Sequence, residues 1–353
     1  MNTDWEDHIE FITASYFKGK DYILNNKKFF EWQFRNPFSD KHCFTLVRLD
    51  ERIVAELGYI PTQLKLFDKT VLNINLVNMM ALEKYRGKGI GFMMVRDSEK
   101  YADICTNTGF GPLTPITRLK WTQLSDMNRY LFVCNAKKVS ELAQEPVDET
   151  KLASVSELPD SSLISREADD FAGADKLWAE VKEKYPITIE RSEKYLNWRY
   201  AYHPLLKYHI ITMGAETMDY DKQEGMKAMK SFCVVRFEEP EGYKIARILD
   251  FISFDDAEEF ALNEAVKYCK KEGADLIDFF FTGDFHKEAL EKTGFVSAEK
   301  YKNLPMLFNP IDRGRTSINF AFKLTNLDYY AEKMNKDKNW YVTKGDGDQD
   351  RPN

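Results

Sequence analysis

The sequence predicts an α+β protein made of two tandem copies of one unit, each a mixed, mostly antiparallel sheet flanked by helices. Three observations predict it: an aromatic helix that occurs twice, a β-branched run after each occurrence, and one strand–turn–helix unit per copy. At 353 residues the chain has room for two domains and for cores that need no disulfides.

The repeat opens each copy. Phe29-Phe30-Glu31-Trp32-Gln33-Phe34-Arg35-Asn36-Pro37 returns as Tyr195-Leu196-Asn197-Trp198-Arg199-Tyr200-Ala201-Tyr202-His203-Pro204. Each reads as an aromatic-faced helix halted by its proline. Alternation then predicts strands near 42–49, 53–61 and 71–82 and a helix near 89–102 in copy one. Copy two repeats the order, with strands near 207–213, 229–237 and 244–254 and a helix over 255–272. A strand over 275–281 and a second helix over 285–292 follow. Thr108-Gly109-Phe110 and Thr293-Gly294-Phe295 are read as a further equivalent pair, with insertions in copy two. The expected domains are 1–140, 166–335 and a tail over 336–353, with a polar linker at 141–165.

Composition narrows the function. The 50 Lys and Arg against 57 Asp and Glu give a net charge of −7, a poor match to nucleic acid or anionic membrane. No apolar run approaches the ~20 residues of a membrane span, and the acidic N-terminus does not read as a signal peptide. Cys43, Cys105, Cys134, Cys233 and Cys269 are odd in number and widely spaced. They are expected as reduced thiols in a cytoplasmic protein. The five histidines show no metal-ligand spacing, so no metal is expected.

The segment with chemistry in it is Asn75-Leu76-Val77-Asn78-Met79-Met80-Ala81-Leu82-Glu83-Lys84-Tyr85-Arg86-Gly87-Lys88-Gly89-Ile90-Gly91. A strand enters a turn with three glycines and opens a helix. Glycines let the backbone approach a ligand closely, and the free N–H groups of a helix start attract a pyrophosphate. Neither Walker nor Rossmann spacing is present. Arg86-x-x-Gly89-x-Gly91 after a strand resembles the acyl-CoA signature of the GNAT (GCN5-related N-acetyltransferase) superfamily. The resemblance implies that backbone N–H groups of Met80, Ala81 and Leu82 bond the pantetheine arm and polarise the thioester. It implies that Arg86, Gly87, Lys88, Gly89, Ile90 and Gly91 hold the pyrophosphate. Acetyl-CoA or another acyl-CoA is then the co-substrate.

Copy one departs from the family pattern. Glu83 replaces the proline before the motif, and the helix that often supplies a tyrosine acid has no room before Thr108. Asn75 stands where a glutamate base is frequent, and it cannot take a proton. Copy two reads Phe254-Asp255-Asp256-Ala257-Glu258-Glu259 at the loop position, without glycine and with four carboxylates that repel phosphate. One copy is thus expected to bind CoA and the other to shape the amine site.

Three residues are candidates for the proton acceptor. Asp250, on an apolar strand of copy two, either pairs with Arg247 or Arg236 or faces the cleft. His203 either serves as a base or caps a helix end. Asp348 lies in the tail Trp340-Tyr341-Val342-Thr343-Lys344-Gly345-Asp346-Gly347-Asp348-Gln349-Asp350. That tail is either solvated or, as its aromatic pair argues, packed where it could hydrogen-bond a sugar or an amine. The expected function is an acyl-CoA-dependent N-acyltransferase. Its small-molecule acceptor is expected to be a nucleotide-linked amino sugar for surface polysaccharide, as in the bacterial enzymes this tandem arrangement resembles. A non-catalytic acyl-CoA-binding scaffold and a FemABX-like aminoacyl transferase are the alternatives.

Overall fold

The computed structural model describes residues 5–15, 23–39, 43–111, 115–147, 163–217, 225–301, 303–308, 311–314 and 317–350. Most of the expected linker, residues 148–162, and the last three tail residues lie outside them. Copy one runs α1 (Trp5–Ser15), α2 (Lys27–Phe34), β1 (Phe44–Leu49), β2 (Arg52–Leu66), β3 (Lys69–Ala81), α3 (Ile90–Ser98), β4 (Ile104–Thr108), β5 (Thr122–Gln123), β6 (Asn128–Val133) and α4 (Ala136–Ala143). Then come β7 (Leu163–Ala168), α5 (Ala174–Val181), β8 (Ile187–Ile189) and α6 (Glu193–Leu196), which continues as a π turn over Asn197–Ala201. Copy two continues with β9 (His209–Thr217), β10 (Gly225–Glu238), β11 (Ile245–Ser253), α7 (Glu258–Lys271), β12 (Leu276–Phe281), α8 (Lys287–Lys292) and β13 (Val296–Ser297). The chain closes with β14 (Leu307–Phe308), β15 (Ile311–Asp312), β16 (Phe320–Leu324), α9 (Ala331–Met334) and β17 (Trp340–Tyr341).

Two large sheets hold these strands. One has the order β17-β8-β2-β3-β4-β16-β5 with β1 also on β2, and the other β13-β6-β12-β11-β10-β9-β7. Within each, the series β1–β2–β3–α3–β4 matches β9–β10–β11–α7–β12, so the duplication is visible strand by strand. Each series makes antiparallel hairpins and then a parallel pair, β3 with β4 and β11 with β12, joined by a crossover helix.

The copies exchange their last strands. β6, inside the expected first domain, pairs with β12 from Leu276↔Val133 to Phe281↔Asn128. β16, inside the expected second domain, pairs with β4 from Phe320↔Thr108 to Leu324↔Ile104. Alternation marks a segment as a strand but leaves its partner open, so the sheets do not follow the 1–140 and 166–335 division. The second repeat pair also needs correcting. Thr108-Gly109 matches Thr282-Gly283, each pair ending the strand after the crossover helix, with glycine φ of 68° and 74°. Thr293-Gly294-Phe295 instead terminates α8, with Gly294 at φ 94°.

The repeated aromatic helices meet at the junction of the copies. Asn26 caps α2 by accepting from Lys28 and Phe29, and Ser192 caps α6 by accepting from Tyr195. The Trp32 indole donates to Trp198 O at 2.9 Å, and the Trp198 indole donates to Trp32 O at 3.1 Å. Their rings stack with centroids 5.0 Å apart. Trp198 is buried and Trp32 half-buried against the same core, and the reciprocal bonds satisfy two polar groups. Among the described residues no helix is long and apolar enough to cross a membrane, and no cluster of His, Cys, Asp or Glu has metal-site geometry.

Candidate active site

The site begins where two parallel strands part. β3 and β4 pair only from Asn73↔Ile104 to Asn75↔Thr106. In the gap beyond, Asn107 Nδ2 donates to Leu76 O at 2.5 Å. A bulge shifts the β2–β3 register between Glu56 and Gly58, with Asn78 at φ 53°. Past it, Leu82 N–H donates to Val54 O at 3.0 Å. Antiparallel pairs alternate in orientation, so Met80 and Leu82 turn their N–H groups to β2. Of the three residues expected to bond a pantetheine arm, Ala81 alone presents its N–H to the gap.

The glycine turn is open. Gly87 has φ 73° and Gly89, the N-cap of α3, has φ 82°. A Cβ on either would meet no atom within 4 Å, so their backbone edge is bare. The first N–H groups of α3, at Ile90 and Gly91, begin a helix with no side-chain cap. Gly91 serves packing, since a Cβ there would lie 3.1 Å from Pro115 Cγ and 3.4 Å from Met79 Sδ. Arg86 also differs from expectation. Its Nε donates to Ala81 O at 3.0 Å and its Nη2 to Ser15 O at 3.1 Å, which clamps the turn to β3 and to the end of α1. Lys84 and Lys88 are exposed on the same turn.

The face of this sheet that meets copy two is polar and ordered. Asn73 Nδ2 donates to Thr62 Oγ1 (3.0 Å), Thr106 Oγ1 donates to Asn73 Oδ1 (3.1 Å), and Asn75 Nδ2 donates to Thr106 Oγ1 (3.2 Å). That chain fixes the Asn75 amide, so its Oδ1 can only accept. Asn75 Oδ1 and Thr108 Oγ1 are buried with no hydrogen-bond partner. Both approach the tail, because a Cβ on Gly347 would be 2.6 Å from Thr108 Oγ1 and 3.6 Å from Asn75 Oδ1. Beside them lies a cavity of about 20 Å³ whose lining includes Trp32, Gln33, Trp198, Tyr208 and Asp348. It has room for about one water. Gln33 Nε2, another buried polar atom without a partner, belongs to the same lining.

The tail is packed, as Trp340-Tyr341 argues, and arginines hold it. Arg191 Nη2 donates to Asp346 Oδ2 (2.8 Å), and Arg199 Nε donates to Gly345 O (2.7 Å). Asp350 takes Arg236 Nε at 2.9 Å and the Tyr208 hydroxyl at 2.6 Å. Between these two anchored carboxylates stands Asp348, half-buried, accepting from Gln349 Nε2 at 3.1 Å. Gln349 Nε2 also donates to Thr108 O at 3.1 Å.

The other two base candidates are placed differently. Asp250 is fully buried against Arg191, 2.9 Å away, and not against Arg247 or Arg236. Tyr200 also donates to it at 3.2 Å. Burial pushes its carboxyl up to about 6, opposed by Arg191 and assisted by Asp346. It lies behind the tail and does not line the cavity. His203 does line the cavity, but its Nδ1 accepts from Leu205 N (3.2 Å) and Leu206 N (2.9 Å). Burial, then Arg199 and Arg236, drives it down to about 2. It is a neutral cap, too weakly basic to collect a proton near neutrality. Sequence reading missed Arg191, which sits between β8 and α6 with no local mark, and treated Thr108 only as a repeat marker.

No protein-family model matches this sequence, and no curated protein matches it. Solved structures do match in fold. Saccharomyces cerevisiae N-myristoyltransferase with bound myristoyl-CoA aligns with a TM-score of 0.54 at 13% identity, over 91% of this chain and 80% of that one. The same yeast enzyme with myristoyl-CoA and inhibitors gives 0.56 at 14%, over 92% and 78%. A GCN5-related N-acetyltransferase from Anabaena variabilis ATCC 29413 gives 0.53 at 10%, over 85% and 69%. Together with the split strands and the glycine turn, this defines the class: the chain has the tandem GNAT fold. The likeness is one of fold, at 10% to 14% identity.

Proposed function

We propose that this chain is an acyl-CoA-dependent N-acyltransferase. One observation carries the reading: a strand gap, an outward N–H on the bulged strand and an open glycine turn at a helix N-terminus lie in one line. That line suits a pantetheine arm followed by a pyrophosphate. The N-acyl transfer named for the structural neighbours accords with it. The pyrophosphate would lie over Gly87 to Gly91, with Lys84 and Lys88 adding charge, and the arm would bond Ala81 N–H.

The chemistry then follows from the acceptors beside the gap. Asn75 Oδ1 and Thr108 Oγ1 are oxygens in want of donors, which suits a primary amine. Its ammonium first gives a proton to Asp348 or to water. The neutral nitrogen attacks the thioester carbonyl carbon, the C–N bond forms, and the C–S bond breaks. The nitrogen's second proton passes to the departing sulfur, directly or through water, so amide and free thiol are the products and no dedicated side-chain acid is required. Most of the rate comes from holding the two reactants together.

For the acceptor, we favour a nucleotide-linked amino sugar in a cytoplasmic setting. The carboxylate of Asp348 and the amide oxygen of Asn75 suit sugar hydroxyls. Thiol release from acetyl-CoA, followed with a chromogenic disulfide, tests the reading. Release with nucleotide amino sugars, and not with an aminoacyl-tRNA, is expected. Binding of CoA without release by any amine would replace it with the scaffold reading.

A further inference from the structure

The second copy has the same parting of strands as the first, and it is filled. β11 and β12 pair only from Ile245↔Leu276 to Ile248↔Phe279, although both strands continue. A bulge follows in β11, where the register with β10 shifts between Ile248 and Asp250. Into this gap runs the chain's own C-terminal segment. On the β12 side, Phe281 forms an antiparallel bridge with Thr343. Thr282 N–H donates to Val342 O at 2.9 Å, and the Thr282 hydroxyl donates to Trp340 O at 2.8 Å. On the β11 side, the Tyr341 hydroxyl donates to Phe251 O at 2.7 Å. Gly345 presses so close that a Cβ would lie 2.6 Å from Leu249 O and 2.1 Å from the Tyr200 hydroxyl.

The occupant's far end is tied down at the same place. Asp346 closes a capping box with Thr343 and accepts from Arg191, whose Nε holds Asp250 on β11. Arg191 is thus a two-headed clamp between the copy-two strand and the tail. Next along, a Cβ on Gly347 would touch Thr108 Oγ1 and Gln349 donates to Thr108 O, with Asp348 between them.

We propose that copy two has exchanged its cofactor for the chain's own tail: residues 340–346 are the permanent occupant of its strand gap, and the Asp250–Arg191–Asp346 bridge is the positioning device that seats Gly347 and Gln349 against Thr108 and so fixes Asp348 between them. The proposal rests on the acyl-transfer reading for its catalytic consequence. It explains the buried acid Asp250, which shares its strand with Arg247 but pairs with Arg191 from outside the sheet. It also accounts for the loss of glycine from the copy-two loop, because a slot filled from within needs no phosphate cradle.

Two variants of the full chain test it. Asp346→Asn keeps the shape of the clamp and weakens its charge, and Gly345→Ala pushes the tail out of the slot without removing any ionised group. Hydrogen exchange of residues 340–350, calorimetric titration with acetyl-CoA and thiol-release kinetics are the three readouts. Both variants are expected to lose exchange protection in the tail and keep it in β3 and α3. Acetyl-CoA affinity should stay within about twofold, and kcat should fall tenfold or more with KM for acetyl-CoA unchanged. Unaltered tail protection, or lost protection with wild-type kcat, overturns the proposal. Failure of the wild type to release thiol overturns the acyl-transfer reading instead, and tail exchange still reports on the clamp.

Discussion

Gly89→Glu is the sharpest test of the cofactor site, because the structure separates its cost to folding from its cost to binding. Gly89 sits at φ 82°, where a side chain costs roughly 1–2 kcal/mol. Nothing lies within 4 Å of the new Cβ, so no packing penalty adds to that. For a chain of this length the loss should lower Tm by only a few degrees. Binding is another matter. A carboxylate about 5 Å from each of two phosphate charges is repelled by about 0.8 kcal/mol per charge in water, and by several times that in a partly desolvated cradle. Even the lower figure, about 1.7 kcal/mol in all, weakens CoA about 15- to 20-fold. Gly89→Ala carries the same backbone strain without the charge and isolates the electrostatic part. Calorimetric titration with acetyl-CoA, alongside thermal unfolding of all three proteins, is the assay. Equal affinity of Gly89→Glu and wild type would remove the turn as the phosphate site.

Three further outcomes follow from the same geometry. Thr108→Val removes a buried hydroxyl that has no partner, so unfolding stability should hold or rise by up to about 1 kcal/mol, while KM for the amine rises; a clear loss of stability in denaturant melts would refute the assignment. Asp348→Asn should cut kcat about 100-fold and flatten the acidic limb of the pH–rate profile with acetyl-CoA affinity intact; near-normal kcat would leave the proton to water. Burial pushes the Glu238 carboxyl up, but Arg247 and Arg236 on either side, with Lys344, together outweigh it and hold the group down at about 2. Its folded value lies below the unfolded one, so its contribution of ~3 kcal/mol is full above about pH 4.5 and is lost as pH falls towards 2. Asp250, raised by burial, has the opposite sign: its part of the stability is present in acid and lost as pH rises through about 6. Melts from pH 7 to 2 should show Glu238→Gln less stable at neutrality and flatter below pH 4.5. A parallel shift at every pH would show that its charge is not what matters.

Local signals told most about the elements and least about their assembly. Glycines at 87 and 89, an apolar strand before them and a helix after them were readable because each is a short-range constraint. The aromatic repeat was readable because both helices must bury the same face, and Trp32 and Trp198 do so against each other. The strand exchange was hidden, since β6 and β16 alternate as any strand does. The clamp was hidden too, although one clue existed. Arg236, inside the apolar run Phe232-Cys233-Val234-Val235-Arg236-Phe237, signals a buried acid elsewhere, and the tail offers Asp346, Asp348 and Asp350 at alternate positions. The sequence leaves Asp250 either facing the cleft or paired with Arg247 or Arg236. The winning partner, Arg191, comes from a segment that no sequence distance connects to it.

The exchange of β6 and β16 also orders events during synthesis. β6 leaves the ribosome long before β12, so for that interval it has no sheet to join and its edges stay open. The first sheet waits longer, because β16 and then β17 follow β12 in the chain. Neither half can mature as a separate unit in the manner of beads on a string. The glycine turn therefore leaves the ribosome while Asp346, Asp348 and Asp350 are still to be made.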